Sequence, residues 1–421
     1  MMEPAMQQRT VLTTTIYTLF LCFIIAILEG FDLQSMGVAA PRMKAEMGLE
    51  NSQMAWIFSA AVLGTLPGAL LAGRCADIFG RKNVLITCIF LFGVMSLCTP
   101  FVGHFDLLIL IRFLTGLGMG GALPLVITLV SEAVSERHKA TAVSIMYCGM
   151  PVGGILSSVV ALSLNADHEW RHIFYFGGIC PILLVPFLIW LLPESRDYLA
   201  LKQQSVLSEK IGFMHAIFSK QRIFITLCLW LSFFGTLLVL TLLQNWLPTL
   251  MTNLGASKAT SNYVQIGFNL GGAIGALVLG ILLDRINKHI VITLVYLGIL
   301  ASLSGLAFSA QSHTLIFAAA CSGLFIIGCQ SILYSLAAKY YPTHMRGSGV
   351  GAAVAVGRIG SFTGPLIAGY LLSMGQNEAF VIASSLPMIL VAAIAALFLL
   401  RQPLPYNSNT SDTDKSKLLK F

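Results

Sequence analysis

Stretches of about 20 consecutive apolar residues follow one another along nearly the whole chain, and each is long enough to cross about 30 Å of hydrocarbon as a helix. Lipid supplies no water to hydrogen-bond a bare backbone, so only helices and closed barrels can span it. Barrel strands alternate apolar and polar residues, whereas these runs are continuous, which selects helices. Twelve spans are predicted at about 14–40, 53–73, 83–102, 106–131, 139–163, 171–192, 222–248, 260–283, 289–309, 313–337, 347–372 and 378–400. The fold class is an all-α membrane protein. Composition agrees, since 10% of the 421 residues are charged, against roughly 25% in a soluble domain. The first span is too long for a secretory signal core, carries Glu29 and Asp32, and lacks a small-residue cleavage site. It reads as a retained helix.

Basic residues orient the chain. With both termini cytoplasmic, the cytoplasmic segments hold 19 of the 25 Lys and Arg, and the other side only Arg42, Lys44, Arg171 and Lys258. That is the positive-inside bias. Two more, Arg112 and Arg358, fall inside spans. A net charge of +7 can indicate nucleic acid, but these residues are scattered among short loops, and membrane orientation accounts for them. The nine cysteines lie mostly within spans without Cys-x-x-Cys pairing, so they read as small packing residues rather than a metal site.

The longest interior polar stretch, 193–221, divides the spans six and six and reads as a cytoplasmic linker. The expected organisation is an N-terminal cytoplasmic tail (1–13), a six-helix bundle (14–192), the linker, a second bundle (222–400) and a cytoplasmic tail of disordered composition (401–421). The halves align without gaps. Leu63-Gly64, Gly68-Ala69-Leu70, Gly73 and Asp77 match Leu270-Gly271, Gly275-Ala276-Leu277, Gly280 and Asp284, an offset of 207 residues. The same offset pairs Gly116-Leu117 with Gly323-Leu324, Gly121 with Gly328 and Lys139 with Arg346. A parallel duplication of two pseudo-symmetric bundles follows, resembling the major facilitator superfamily and suited to alternating access.

Between spans two and three stands Gly73-Arg74-Cys75-Ala76-Asp77-Ile78-Phe79-Gly80-Arg81-Lys82, with a degenerate copy at Gly280 to Asp284-Arg285. It resembles the signature loop of the same superfamily. The resemblance implies a cytoplasmic latch formed by Asp77 and Arg81, with Gly73, Gly80, Asp284 and Arg285 belonging to the paired motifs. Span five carries Gly149-Met150-Pro151-Val152-Gly153-Gly154, read first as a kink. Span four has Arg112 about 9 Å from its start at 1.5 Å per residue, with Gly116 and Gly120 on the same face. A buried Arg needs a partner, unless it snorkels to the interface; Arg112 is also a candidate to bind the substrate.

The strongest pointer is Leu28-Glu29-Gly30-Phe31-Asp32-Leu33-Gln34 in span one. Glu29 and Asp32 are three apart and are expected on one helical face. Acids within hydrocarbon are expensive and mark proton or substrate pathways; a static ion pair is the structural alternative. Arg358, about 16 Å into span eleven, is expected to hold a carboxylate in fork geometry, and to turn to Asp32 or Glu29 when no substrate is bound. Tyr147, Asn245, Gln330 and Tyr334, with Gln244, Trp246 and Asn269, are candidates to line the same cavity. Each alone is more often packing or an interfacial anchor.

Glu29-Gly30-Phe31-Asp32, Met54-Ala55-Trp56-Ile57-Phe58-Ser59-Ala60, Met146-Tyr147-Cys148-Gly149-Met150-Pro151, Asn245-Trp246-Leu247-Pro248 and the run Gly349 to Arg358 resemble the aromatic acid:proton symporter family. Within it, the likeness is greatest to transporters of hydroxyphenylpropionate and hydroxycinnamate, over about residues 14–400. That family usually carries Asp-Gly-Phe-Asp; here the first acid is Glu29, one methylene longer. The resemblance implies uptake of a small aromatic carboxylate with protons across a bacterial inner membrane, by a monomer driven by the proton gradient without a cofactor. Sugar or polyol symport is the nearest rival, from Pro193-Glu194-Ser195-Arg196, although Arg401-Gln402-Pro403 replaces the motif those carriers show after span twelve. Drug:proton antiport is a second. An enzyme is not expected, because no span holds a nucleophile with its base or a metal-ligand cluster.

Overall fold

The structure is a computed structural model that describes residues 3–135, 138–164, 167–195, 198, 223–309, 311–341 and 346–402; side chains at 3–13, 140, 167, 168, 284, 338 and 346–348 are outside the description. Fourteen α-helices run in the order α1 Glu3–Met47, α2 Asn51–Phe79, α3 Arg81–Cys98, α4 Phe105–Ala133, α5 Lys139–Tyr147, α6 Gly149–Leu162, α7 Arg171–Leu191, α8 Ile223–Asn253, α9 Lys258–Arg285, α10 Lys288–Phe308, α11 Ser312–Tyr340, α12 Arg346–Ser373, α13 Glu378–Ala383 and α14 Leu386–Leu400. They make twelve spans long and apolar enough to cross a membrane, with α5 and α6 forming one and α13 and α14 another. Bulky apolar side chains such as Leu70, Phe187, Trp190 and Phe317 stand exposed, as a lipid-facing surface requires.

Two helix boundaries differ from expectation. The first helix begins at Glu3, inside the expected tail, and continues past residue 40 through Pro41 to Met47. Arg42, buried there, donates to the carbonyls of Ala161 and Leu164 at the end of α6, which gives the extra turn an anchor. Span five breaks at Cys148, where Pro151 has no N–H to offer the Tyr147 carbonyl. Span twelve breaks in the same way before Pro387. Most of the linker and of the C-terminal tail, 196–197, 199–222 and 403–421, lies outside the described residues.

The 207-residue offset reappears as atomic contacts. Gly116 of α4 packs on the Ala61 carbonyl of α2, so a Cβ there would sit 1.8 Å from its oxygen; the equivalent pair, Gly323 of α11 on Phe268 of α9, would give 1.7 Å. Gly153 of α6 meets Ile27 of α1 at 2.0 Å as Gly360 of α12 meets Phe234 of α8 at 2.3 Å. Each half is thus knit by backbones in direct contact, which only a missing side chain permits.

Between the halves, α1 lies against α8, α2 against α12 and α6 against α9. The seam is tight on the side that carries the turn between α1 and α2. There a Cβ on Gly37 would lie 2.7 Å from the Gln244 carbonyl and one on Gly369 2.4 Å from the Ala55 Cβ. Ser59 Oγ donates to the Phe362 carbonyl at 2.8 Å, and the Phe58 and Trp246 rings meet edge-on at 5.2 Å.

Candidate functional site

Three residues on a helix turn through 300°, leaving Glu29 and Asp32 about 60° apart on α1 at 3.6 residues per turn. That angle sends them to different neighbours. Asp32, fully buried, accepts from Ser96 Oγ of α3 at 2.6 Å and from Arg112 Nη1 of α4 at 3.2 Å. Arg112 is 1% exposed and salt-bridged to this carboxylate. One expectation is therefore corrected: Asp32 turns to Arg112 instead of Arg358. Arg112, expected to need a partner, has it in this carboxylate and does not snorkel. The reason is geometric: α3 and α4 close over this side of α1, and a buried carboxylate takes the cation it is packed against.

Glu29 is nearly as buried, yet its Oε2 has no hydrogen-bond partner. Its charge feels Arg358 first and Asp32 second. Arg358, half-buried on α12, makes no salt bridge among the described residues. Tyr147, at the break between α5 and α6, lies beside Tyr334 of α11, with Arg358 and Glu29 near enough for their charges to act on the same hydroxyl. Acid, guanidinium and two phenols from four spans thus converge between the halves. Tyr334 stacks edge-on against Phe233 of α8 at 5.2 Å. One turn away on α11, Gln330 Nε2 donates to Thr236 Oγ1 at 2.8 Å. Phe233 and Thr236 carried no sequence signal, since apolar rings and hydroxyls are ordinary in membrane helices.

Toward the tight seam, Gln34 reaches across to α9. Its Nε2 donates to Asn269 Oδ1 at 2.8 Å, while its Oε1 accepts from Asn269 Nδ2 at 2.6 Å and Gln265 Nε2 at 2.7 Å. All three amides are buried. Gly154 makes room for them, because a Cβ there would lie 2.2 Å from Gln34 Nε2. Asn245 belongs to this seam too: its Nδ2 bonds the Thr241 carbonyl, and its backbone touches Gly37. Gln34 stood in the sequence two residues beyond Asp32 as another polar group in a span, and that was its signal.

On the opposite side, Arg81 and Asp77 are not paired. Arg81 bonds Glu132 of α4 and, at 2.6 Å, Ser195 Oγ. Glu194 Oε1 accepts from the backbone N–H of Arg81 at 2.9 Å and of Lys82 at 3.0 Å, a negative charge placed at the start of α3, where the helix dipole favours it. Gly80 makes the corner with φ 92°, and a Cβ there would meet Glu194 at 2.3 Å. Asp77, Gly73 and Arg285 are exposed, and the side chain of Asp284 lies outside the described residues. Glu132 and Glu194 were missed because their partner is more than 50 residues distant in each case. No group of three His, Cys, Asp or Glu suited to a metal occurs among the described residues, and all nine cysteines are free.

Known proteins resemble this chain throughout. The 3-(3-hydroxy-phenyl)propionate transporter of Escherichia coli (strain K12) is 42% identical over 91% of this chain and 93% of its own. The gallate transporter of Pseudomonas putida is 36% identical over 85% of each, and the 4-hydroxybenzoate transporter PcaK of Pseudomonas aeruginosa 35% over 90% and 91%. Among solved structures, the D-xylose-proton symporter superposes with TM-score 0.74 at 17% identity over 92% of this chain and 97% of that one. The inward open xylose transporter XylE from E. coli gives 0.73 at 17% over 96% and 99%. At such identities these two speak for the fold alone. The sequence profile of the Major Facilitator Superfamily matches residues 22–363 and 229–420, and with relatives this similar over this length, the chain belongs to that superfamily of membrane transporters.

Proposed function

We propose that this carrier takes up an aromatic carboxylate together with protons, by alternating access across a bacterial inner membrane with both termini in the cytoplasm. The observation that carries the reading is Arg358: a guanidinium between the halves, without a salt bridge, beside two phenols and an acid whose Oε2 is unpartnered. A half-buried cation left in that condition favours an anion that comes and goes, and the planar fork suits a carboxylate. The Tyr147 and Tyr334 rings offer aromatic surface beside it. Relatives named for hydroxyphenylpropionate, gallate and hydroxybenzoate support the same substrate class.

Glu29 and Asp32 take the coupled proton. A proton on Asp32 would release Arg112, and one on Glu29 would leave Arg358 free for the substrate's charge. With the basic side inside, the closed seam around Gln34 faces out. Counterflow in proteoliposomes with a panel of phenylpropionates, cinnamates, benzoates and sugars tests the reading: exchange of aromatic acids and not sugars is expected. Exchange of sugars alone would replace it with the sugar or polyol reading, and export against an imposed pH gradient with the drug:proton antiport reading.

A further inference from the structure

The side chain of Gln330 is 7% exposed, and one half of its amide is unanswered. Thr236 has a single hydroxyl proton, and its Oγ1 lies 2.6 Å from the Ser232 carbonyl, to which it donates. Toward Gln330 that oxygen can therefore only accept, so the nearer amide atom must be the nitrogen, as the 2.8 Å contact has it. The amide cannot flip without setting two acceptors against each other. Its Oε1 is thereby fixed as an acceptor, buried, with no partner.

A buried acceptor without a donor carries a desolvation penalty unless something visits it. Gln330 shares a face of α11 with Tyr334, four residues on, and Tyr334 belongs to the cluster of Tyr147, Glu29 and Arg358. A visitor anchored by its carboxylate on Arg358 lies along this wall, with Phe233 packed beside Tyr334. The chemistry wanted at Gln330 is an uncharged O–H donor on a rigid, flat body. We propose that Gln330 reads a ring hydroxyl on the carried acid, and that Thr236 positions it by locking the amide, so that hydroxylated aromatic carboxylates are selected over unhydroxylated ones. This inference rests on the aromatic carboxylate reading above and adds to it the residue that sets the choice.

The test is competition in proteoliposome counterflow between 3-phenylpropionate and its 2-, 3- and 4-hydroxy derivatives. The wild type is expected to prefer at least one hydroxylated acid by about tenfold or more, since a site built around a substrate hydroxyl rejects the analogue that lacks it. Gln330→Met keeps length and loses the acceptor; its preference is expected to fall to within about twofold. Thr236→Val lets the amide turn and is expected to lower the same ratio, which general loosening of α11, acting on both acids alike, would not move. An unaltered preference in Gln330→Met, or no preference in the wild type, overturns the assignment. Should Gln330→Met lose both acids, Thr236→Val decides by the same ratio. If the wild type exchanges no aromatic acid at all, the proposed function itself fails, a result distinct from loss of selectivity alone.

Discussion

Carried across by the offset of 207 residues, Asp32, Ser96 and Arg112 of the first half fall on Val239, Leu303 and Ala319 of the second, and all six are buried. One scaffold thus closes the same core positions with an ion pair in one half and with hydrocarbon in the other. Apolar packing evidently suffices there, so the charges of the first half are not required for holding helices together. Buried pairs are in general poor stabilisers against well-packed apolar side chains. Nearer the seam the asymmetry is mixed: Glu29 corresponds to Thr236, whereas Arg358 and Gln330 of the second half correspond to Pro151 and Leu123. The first half holds the titratable acids, and the second holds a fixed cation and neutral hydrogen-bonding groups. Duplication supplied two equivalent bundles; what distinguishes them is which one holds the buried acids.

The largest effect is expected where that difference is broken on one side only. Arg112→Leu leaves Asp32 buried without its cation, and a loss of about 3–5 kcal/mol is expected for an uncompensated charge, read as a lower unfolding temperature of the detergent-solubilised protein. Giving the first half the residues of the second, Asp32→Val with Ser96→Leu and Arg112→Ala, is expected to recover most of that stability without recovering gradient-driven uptake. If the triple variant is as unstable as Arg112→Leu, the pair is structural and the comparison fails. Next in size are Glu29→Gln and Asp32→Asn, each expected to abolish accumulation driven by a pH gradient while counterflow persists. Undiminished accumulation by either variant removes that acid from proton coupling.

Much of this was legible before any coordinates, for physical reasons. Hydrocarbon thickness dictates run length, so twelve spans could be counted, and the duplication kept its register well enough that an offset found in glycines predicted backbone contacts in both halves. Depth within a span was legible as well, since rise per residue is constant. Choice of partner was not. Glu29 and Asp32 differ by 60° around α1, and which neighbour each meets depends on how α3, α4 and α12 pack, information that no local pattern contains. Arg112 was recognised as a buried cation in need of an acid, but its partner lay 80 residues away on α1. Asp77 and Arg81 were read together from the resemblance of their loop to the superfamily's signature, whereas Arg81 binds Glu132 and Ser195 from segments remote in sequence.

A smaller effect sharpens the second half of the comparison. Arg358→Lys keeps the charge and loses the fork, so the half-saturating concentration for an aromatic acid is expected to rise about tenfold, the order of one charge-assisted hydrogen bond. Equal affinity in the two proteins would move the anion site elsewhere.

The smallest effect concerns the seam where the unlike halves meet. Gln34 from the acid-bearing half and Asn269 from the other exchange two hydrogen bonds, and Gln265 adds a third. These amides are buried only while the seam is shut; on opening, water replaces each partner, so the clasp biases the equilibrium modestly and reversibly. Gln34→Met removes the shared partner, leaving Asn269 Oδ1 without its donor and Gln265 Nε2 with only its 3.4 Å contact to the Gln244 carbonyl, in the closed arrangement alone. The closed population is then expected to fall several-fold, given about 1 kcal/mol per hydrogen bond exchanged with water. Spin labels placed across the seam on the α1–α2 turn and the start of α9 would report it as a longer distance in the substrate-free protein. Because Gln34 touches neither Asp32 nor Arg358, binding of the aromatic acid to each conformation should be unchanged, and only the balance between conformations should move. An unshifted distance distribution would mean that apolar packing around Gly37, Phe58 and Gly369 closes this side without help from the amides, and that the polar groups of the first half serve the proton alone.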